Sequence, residues 1–190
     1  MLDDEEQGEL FSGLSDLKAA QWVLEHNHHD LPGIVTRLRW LGEVGDTMGS
    51  GGAMLFGGST VAAAWGEARL SYVYGNFVST ILLCQSLLEN LLAAYLSLRT
   101  EDLPERVRFE QTVKRAEADG LLHALDSFDL KRLSNLRNPL SHFRTMDDPY
   151  NIDRRAMTEG RSGHEILQSD ATFALMLSIR ILSRSPFRVG

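Results

Sequence analysis

The sequence predicts an all-α fold: an up-and-down helical bundle preceded by a helical N-terminal extension. Three observations carry that prediction. Between residues 61 and 99, apolar side chains return every three or four positions, which is the period of a helix. The last apolar stretch, 170–183, is almost unbroken in Phe173, Leu175, Met176, Leu177, Ile179, Ile181 and Leu182, a pattern that belongs to a core helix. No stretch alternates with the period of two expected of a half-buried strand, and no internal repeat is visible.

Residues 1–13 read as an acidic leader. From Ser15, the positions of Leu17, Ala20 and Leu24 mark a short helix ending in Glu25-His26-Asn27-His28-His29-Asp30. Leu31-Pro32-Gly33 reads as a break, and Ile34, Val35, Leu38, Leu41 and Val44 line one face of a second helix. Residues 45–59 hold six glycines; such backbone is costly to order, so a mobile hinge or loop is expected. The domain organisation that follows is 1–59 as helical extension and hinge, and 60–190 as the bundle.

The stretch from 61 or 68 to 99 is the longest helical pattern. Leu70, Val73, Tyr74, Phe77, Ile81, Leu88, Leu91, Leu92 and Tyr95 recur at helical steps, and further leucines widen the stripe. A stripe that broad is expected to be buried on two sides, as in a bundle or dimer core. Residues 100–105 break it. Thr100 or Asp102 is expected to cap the next helix, with Pro104 in its first turn, and that helix runs to Asp119-Gly120. A short helix at 121–125 and another from Phe128 follow. Residues 147–163, polar and with Pro149 and Gly160, read as a long loop before the final helix.

Composition bounds the function. A chain of 190 residues with 43% hydrophobic and 24% charged residues has enough apolar surface for a core. The single cysteine, Cys84, excludes an intrachain disulfide framework and fits a reducing compartment. Its apolar neighbours mark it as a small buried residue. The start is acidic where a secretory signal would be basic. The best membrane-length run, 77–96, is interrupted by Gln85, Glu89 and Asn90. A cytoplasmic protein with no membrane partner is expected. The net charge of −7 argues against a generic nucleic-acid binder, but it is unevenly spread. Residues 1–130 carry 9 basic against 20 acidic side chains, and residues 131–190 carry 10 against 6. A locally positive surface attracts a polyanion while the remainder repels it.

The positive part contains Leu136-Arg137-Asn138-Pro139-Leu140-Ser141-His142-Phe143. Arg137 is a permanent cation with a forked set of donors suited to phosphate oxygens. His142 exchanges a proton near neutrality. Pro139 has no N–H and its ring collides with the carbonyl four residues back, so an unbroken helix through 135–143 is strained. Asn138 before Pro139 has the form of a helix start, a cap and a first-position proline. Either a kink or a new helix is therefore expected, with His142 near a helix N-terminus, where the positive dipole end favours neutral imidazole.

This arrangement of Arg, Asn and His, with an apolar helix bearing Leu87-Leu88-Glu89 some fifty residues earlier, resembles the signature of the HEPN superfamily over roughly residues 61–185. HEPN domains are small helical bundles that usually pair, so that the Arg and His of both subunits line one cleft. Many are metal-independent endoribonucleases, often toxins of toxin–antitoxin pairs or effectors of antiviral defence. The resemblance implies a homodimer that cleaves RNA without a cofactor and that has an antitoxin or defence-system protein as partner. Arg137 would contact the scissile phosphate and stabilise its charge. His142 would be the general acid or base for attack by the 2′-hydroxyl, and Asn138 would orient the pair or the phosphate. Glu89 is expected to hydrogen-bond Arg137 or His142 across the bundle, or else to lie at the helix's wet edge. Lys131, Arg132 and Arg144 are expected to contact the RNA backbone. The alternative is a HEPN-like binding or dimerisation module that retains the motif without cleaving.

The chain departs from one subgroup. Relatives paired with a nucleotidyltransferase antitoxin carry Tyr two places after the His, where this chain has Arg144, so regulation at that tyrosine is not expected. Other motifs carry less. Ser141 and His142 are adjacent, and adjacent helical side chains diverge by about 100°, so they form no nucleophile pair. His26, His28 and His29 with Asp30 lack a second ligand cluster, and a solvated trio is expected instead of a metal site. Gly52-x-x-x-x-Gly57-Gly58-Ser59 lacks the lysine of a phosphate loop and follows no strand. His123 and His164 have no partner that the sequence identifies.

Overall fold

The computed structural model describes residues 16–28, 30–49, 52–99 and 107–189. The chain forms two compact units, residues 1–36 and 37–190. Among the described residues all regular structure is helical: eight α-helices, no strand, and one isolated antiparallel bridge, Ala53 to Arg188. The predicted leader at 1–13, the capping residues Thr100 and Asp102 with Pro104, and His29 lie outside the described residues.

Helix α1 is Asp16–His28 and α2 is Leu31–Asp46. The expected break at 31–33 is the first turn of α2. Ile34 N–H donates to the Asp30 carbonyl at 2.8 Å, and Pro32 stands where its missing N–H costs nothing.

The pattern read as one long helix from 61 to 99 is two, α3 (Gly58–Val73) and α4 (Phe77–Arg99). The break is at Gly75, whose φ of 76° is a left-handed conformation that glycine adopts without a Cβ clash. Asn76 N–H reaches back to the Ser71 carbonyl at 2.8 Å. Arg37, buried, donates Nε–H to the Val73 carbonyl at 2.9 Å, which satisfies one of the acceptors left at the end of α3.

Helix α4 is the centre of the second unit. Leu87, Leu88, Leu91, Leu92 and Leu96 are fully buried, and a leucine so buried contributes about 1.5–3 kcal/mol. It packs against α3, α5 (Phe109–Ala118), α6 (Ala124–Ser141) and α8 (Gly163–Leu182). Burial on more than one side is what its broad stripe predicted. By length and composition α4 would also be able to cross a membrane, but half of its most apolar window is buried inside the bundle.

Three further boundaries differ from expectation. The helices expected at 121–125 and from 128 are the single helix α6, which starts after His123. The expected loop 147–163 contains α7, Ile152–Glu159, whose N-cap Asn151 accepts from Arg154 N–H. Helix α8 begins at Gly163, seven residues before the expected start; the Ser162 and Glu165 side chains cap it reciprocally.

In the glycine segment, Met54 N–H donates to the Phe187 carbonyl at 2.6 Å and Val189 N–H to the Gly52 carbonyl at 3.1 Å. Phe56 meets Tyr95 and the buried Phe187 edge-on, with ring centroids 5.3 and 5.9 Å apart. These contacts bind residues 52–56 to the C-terminal end of the chain.

Candidate functional site

The motif lies on α6, and the start of that helix is fixed electrostatically. Asp126 is fully buried, 0% exposed. Its Oδ2 accepts the His123 backbone N–H at 3.0 Å and a hydrogen bond from Arg184 Nη1. Arg180 Nε lies 3.2 Å from its Oδ1, and Arg180 Nη2 lies 2.6 Å from Asp129 Oδ2. Two arginines of the α8 end of the chain thus hold the first turn of α6. Leu130, Leu133 and Leu136 turn one face of the helix into the core.

The helix runs through Pro139 and ends at Ser141. Of the two expectations, a kink or a new helix, the new helix starting at Asn138 is therefore corrected. Asn138 is no cap; its carbonyl accepts the His142 N–H at 3.0 Å. His142 is the C-cap, with φ −138° and ψ 137°, so the argument from a helix N-terminus does not apply to it. Packing of Leu133 and Leu136 carries the helix past the proline, which leaves the Asn135 carbonyl without its usual donor four residues on.

Arg137 is half-buried on α6. From Ala124 to Leu182 each of the other arginines has a partner. Arg132 lies 4.2 Å over the Phe173 ring and Arg144 Nε lies 3.5 Å from Asp148. Arg154 donates to the Asp147 carbonyl, Arg155 binds Asp170, Arg161 binds Glu159 and Arg180 binds Asp129. The Arg137 side chain alone in that span has no hydrogen bond, ion pair or ring contact among the described residues. His142 is exposed, and Phe143 beside it is 90% exposed.

Not all the expected site residues come together. No hydrogen bond or ring contact joins Arg137 to His142. Glu89 is half-buried on α4 and bonds to neither of them among the described residues. Lys131 is exposed. Arg132 and Arg144 are occupied by Phe173 and Asp148, and the Arg144 carbonyl also accepts from Asn151 Nδ2 at 3.0 Å. Among the described residues no group of three or more His, Cys, Asp or Glu is placed to hold a metal ion.

Asn138 instead opens on a groove of about 440 Å³ between α5 and α6. Phe128, Lys131, Ser134 and Asn135 line it from α6, and Phe109 and Val113 from α5. Asn135 Nδ2 donates to the Tyr150 hydroxyl at 3.1 Å. Sequence reasoning missed this groove. Its signal was present: Phe128, Lys131, Asn135 and Asn138 are spaced by three, four and three, one face of a helix.

The two remaining histidines have structural settings. His123 precedes α6 as its N-cap, and the His164 ring centroid lies 5.1 Å from that of Phe77.

No family model matches the chain, and neither curated proteins nor solved structures provide a match.

Proposed function

We propose that the chain is a HEPN-type endoribonuclease that works as a homodimer, with Arg137 and His142 as its catalytic residues. The observation that carries this reading is the half-buried guanidinium of Arg137, which has no partner among the described residues. A cation drawn partly out of water without a counter-ion is unfavourable, and a phosphate would relieve it with two parallel hydrogen bonds. Five residues on, an exposed imidazole stands at the end of the same helix.

Chemically the pair is sufficient for cleavage of RNA. Arg137 binds the non-bridging oxygens of the scissile phosphate and stabilises the charge that builds there. His142 accepts the proton of the neighbouring 2′-hydroxyl, whose oxygen attacks phosphorus. The 5′-oxygen leaves and takes up a proton, giving a 2′,3′-cyclic phosphate and a 5′-hydroxyl. His142 of the second copy would supply that proton, which gives the dimer a chemical purpose. Phe143, apolar and next to His142, would lie under the second copy. Asn138 orients the nucleotide beside the phosphate, and Lys131 adds positive potential. A toxin or antiviral-defence effector, held in check by a partner protein in the cytoplasm, is the role this chemistry fits.

Induced expression tests the reading. Wild type is expected to arrest growth and to leave cyclic-phosphate RNA ends, and His142→Ala to do neither. A harmless wild type with intact RNA would overturn it. One observation favours a second reading, a non-cleaving binding or dimerisation module: within one copy, no contact joins Arg137 and His142. A stable dimer that binds RNA and never cuts it would identify that case.

A further inference from the structure

We propose that the groove between α5 and α6 receives a nucleobase of single-stranded RNA, with Phe128 as the stacking surface and Asn135 reading the base edge. The identity of the occupant rests on the ribonuclease reading; the groove itself rests on independent geometry. At about 440 Å³ it falls within the size range of small-ligand sites. Asn138, which lines one part of it, is the residue after Arg137 on the same helix, so the groove lies on the neighbouring face of α6.

The lining chemistry favours a base over a phosphate. Glu110 and Glu117 stand against Lys114 and Lys131, and Lys114 is already paired with Glu110 at 2.9 Å. The groove therefore carries no excess positive charge with which to hold an anion. It does offer a ring and amides. Phe128 is 68% exposed although it lines a cavity, an aromatic face available for stacking. Asn135 commits its Nδ2 to Tyr150, which fixes the amide and leaves Oδ1 as an oriented acceptor. Unstacked bases of single-stranded RNA are recognised in this way, by an aromatic face and by hydrogen bonds to their edges.

Fluorescence anisotropy with labelled RNA octamers of A, C or U tests this, on the full chain carrying His142→Ala so that RNA survives. One octamer is expected to bind more tightly than the others. Phe128→Ala is expected to weaken it roughly 5- to 150-fold, the range of base–aromatic stacking, and Asn135→Asp to change the ranking of bases. Leu125→Ala, exposed on the same helix but outside the groove, is expected to change nothing. A melt confirms that Phe128→Ala is folded. Failure of any octamer to bind, or equal binding by Phe128→Ala, would overturn the proposal. If binding depends on Phe128 while wild type cuts no RNA, the groove stands and the ribonuclease reading falls. If wild type cuts RNA and Phe128→Ala cuts the same sites at the same rate, the reverse holds.

Discussion

Arg155 and Asp170 meet in a two-point ion pair, Nη1 to Oδ2 at 2.5 Å and Nη2 to Oδ1 at 2.9 Å, which clamps α7 onto α8. Asp170 is only 2% exposed, and its hydrogen bonds hold the Arg155 guanidinium above its ordinary pKa. Removing the carboxylate leaves the partly buried guanidinium with only the more distant Glu159, 3.6 Å from its Nε. Asp170→Ala is therefore expected to cost about 1–3 kcal/mol, read as a lower urea midpoint. Lys114→Ala, which breaks the exposed pair with Glu110, is expected to cost about 0–1 kcal/mol. Equal effects from the two variants would contradict this account of the α7 clamp.

Pro139 interrupts the hydrogen bonding of α6 two residues before its end at Ser141. Pro139→Ala restores an N–H for the Asn135 carbonyl, so the folded chain is expected to gain about 1–3 kcal/mol. Cleavage is expected to fall, because the turn between Arg137 and His142 tightens. A variant that is both more stable and fully active would show that the proline has no part in placing the pair.

The Glu165 carboxyl is held below the usual carboxylate range by the Ser162 N–H first and the Ser162 hydroxyl second. A carboxyl depressed by folding stabilises the fold above its unfolded pKa and loses that contribution as pH falls through the folded value. Glu165→Gln is expected to lower Tm at pH 7. The difference should shrink once pH drops below about 4.5, the ordinary value for the group, and vanish in stronger acid. A gap in Tm that persists at pH 2 would contradict the assignment.

Burial pushes the Cys84 thiol up to about 12. Native chain is expected to resist thiol reagents at pH 8, where an open cysteine is partly thiolate, and to react at once in concentrated urea. Rapid labelling of the folded chain would place Cys84 outside the core.

The all-helical class was legible because apolar spacing in 61–99 and 170–183 reflects burial directly. The turn at Gly75 was not: Leu70, Val73, Tyr74 and Phe77 keep helical spacing across it, and only Gly75-Asn76 marked the break. Helix α7 was hidden by its polar surface, although Asn151 as cap and Gly160 as terminator flanked it. The early start of α8 was written in Ser162-x-x-Glu165, a capping box that the apolar run downstream overshadowed. At the site, Arg137 and His142 stood out by chemistry. At Pro139 a new helix was the wrong alternative: the helix continues, with Leu133 and Leu136 buried before the proline.

The His142 imidazole is exposed and makes no bond among the described residues, so His142→Ala should melt as wild type does. Its cleavage is expected to drop about 10²–10⁴-fold, the usual yield of general acid–base catalysis. A large fall in Tm instead would assign the imidazole to folding.

A guanidinium that holds the scissile phosphate slows cleavage when it is removed, and that of Arg137 is unpaired among the described residues. The deciding quantity is the initial rate of cleavage of an end-labelled single-stranded RNA, in EDTA, by wild type and by Arg137→Ala of equal Tm. Wild type is expected to leave 2′,3′-cyclic phosphate ends, Arg137→Ala to cleave at least about a hundredfold more slowly, and DNA of the same sequence to stay untouched. Cleavage by Arg137→Ala at the wild-type rate would contradict this role for Arg137.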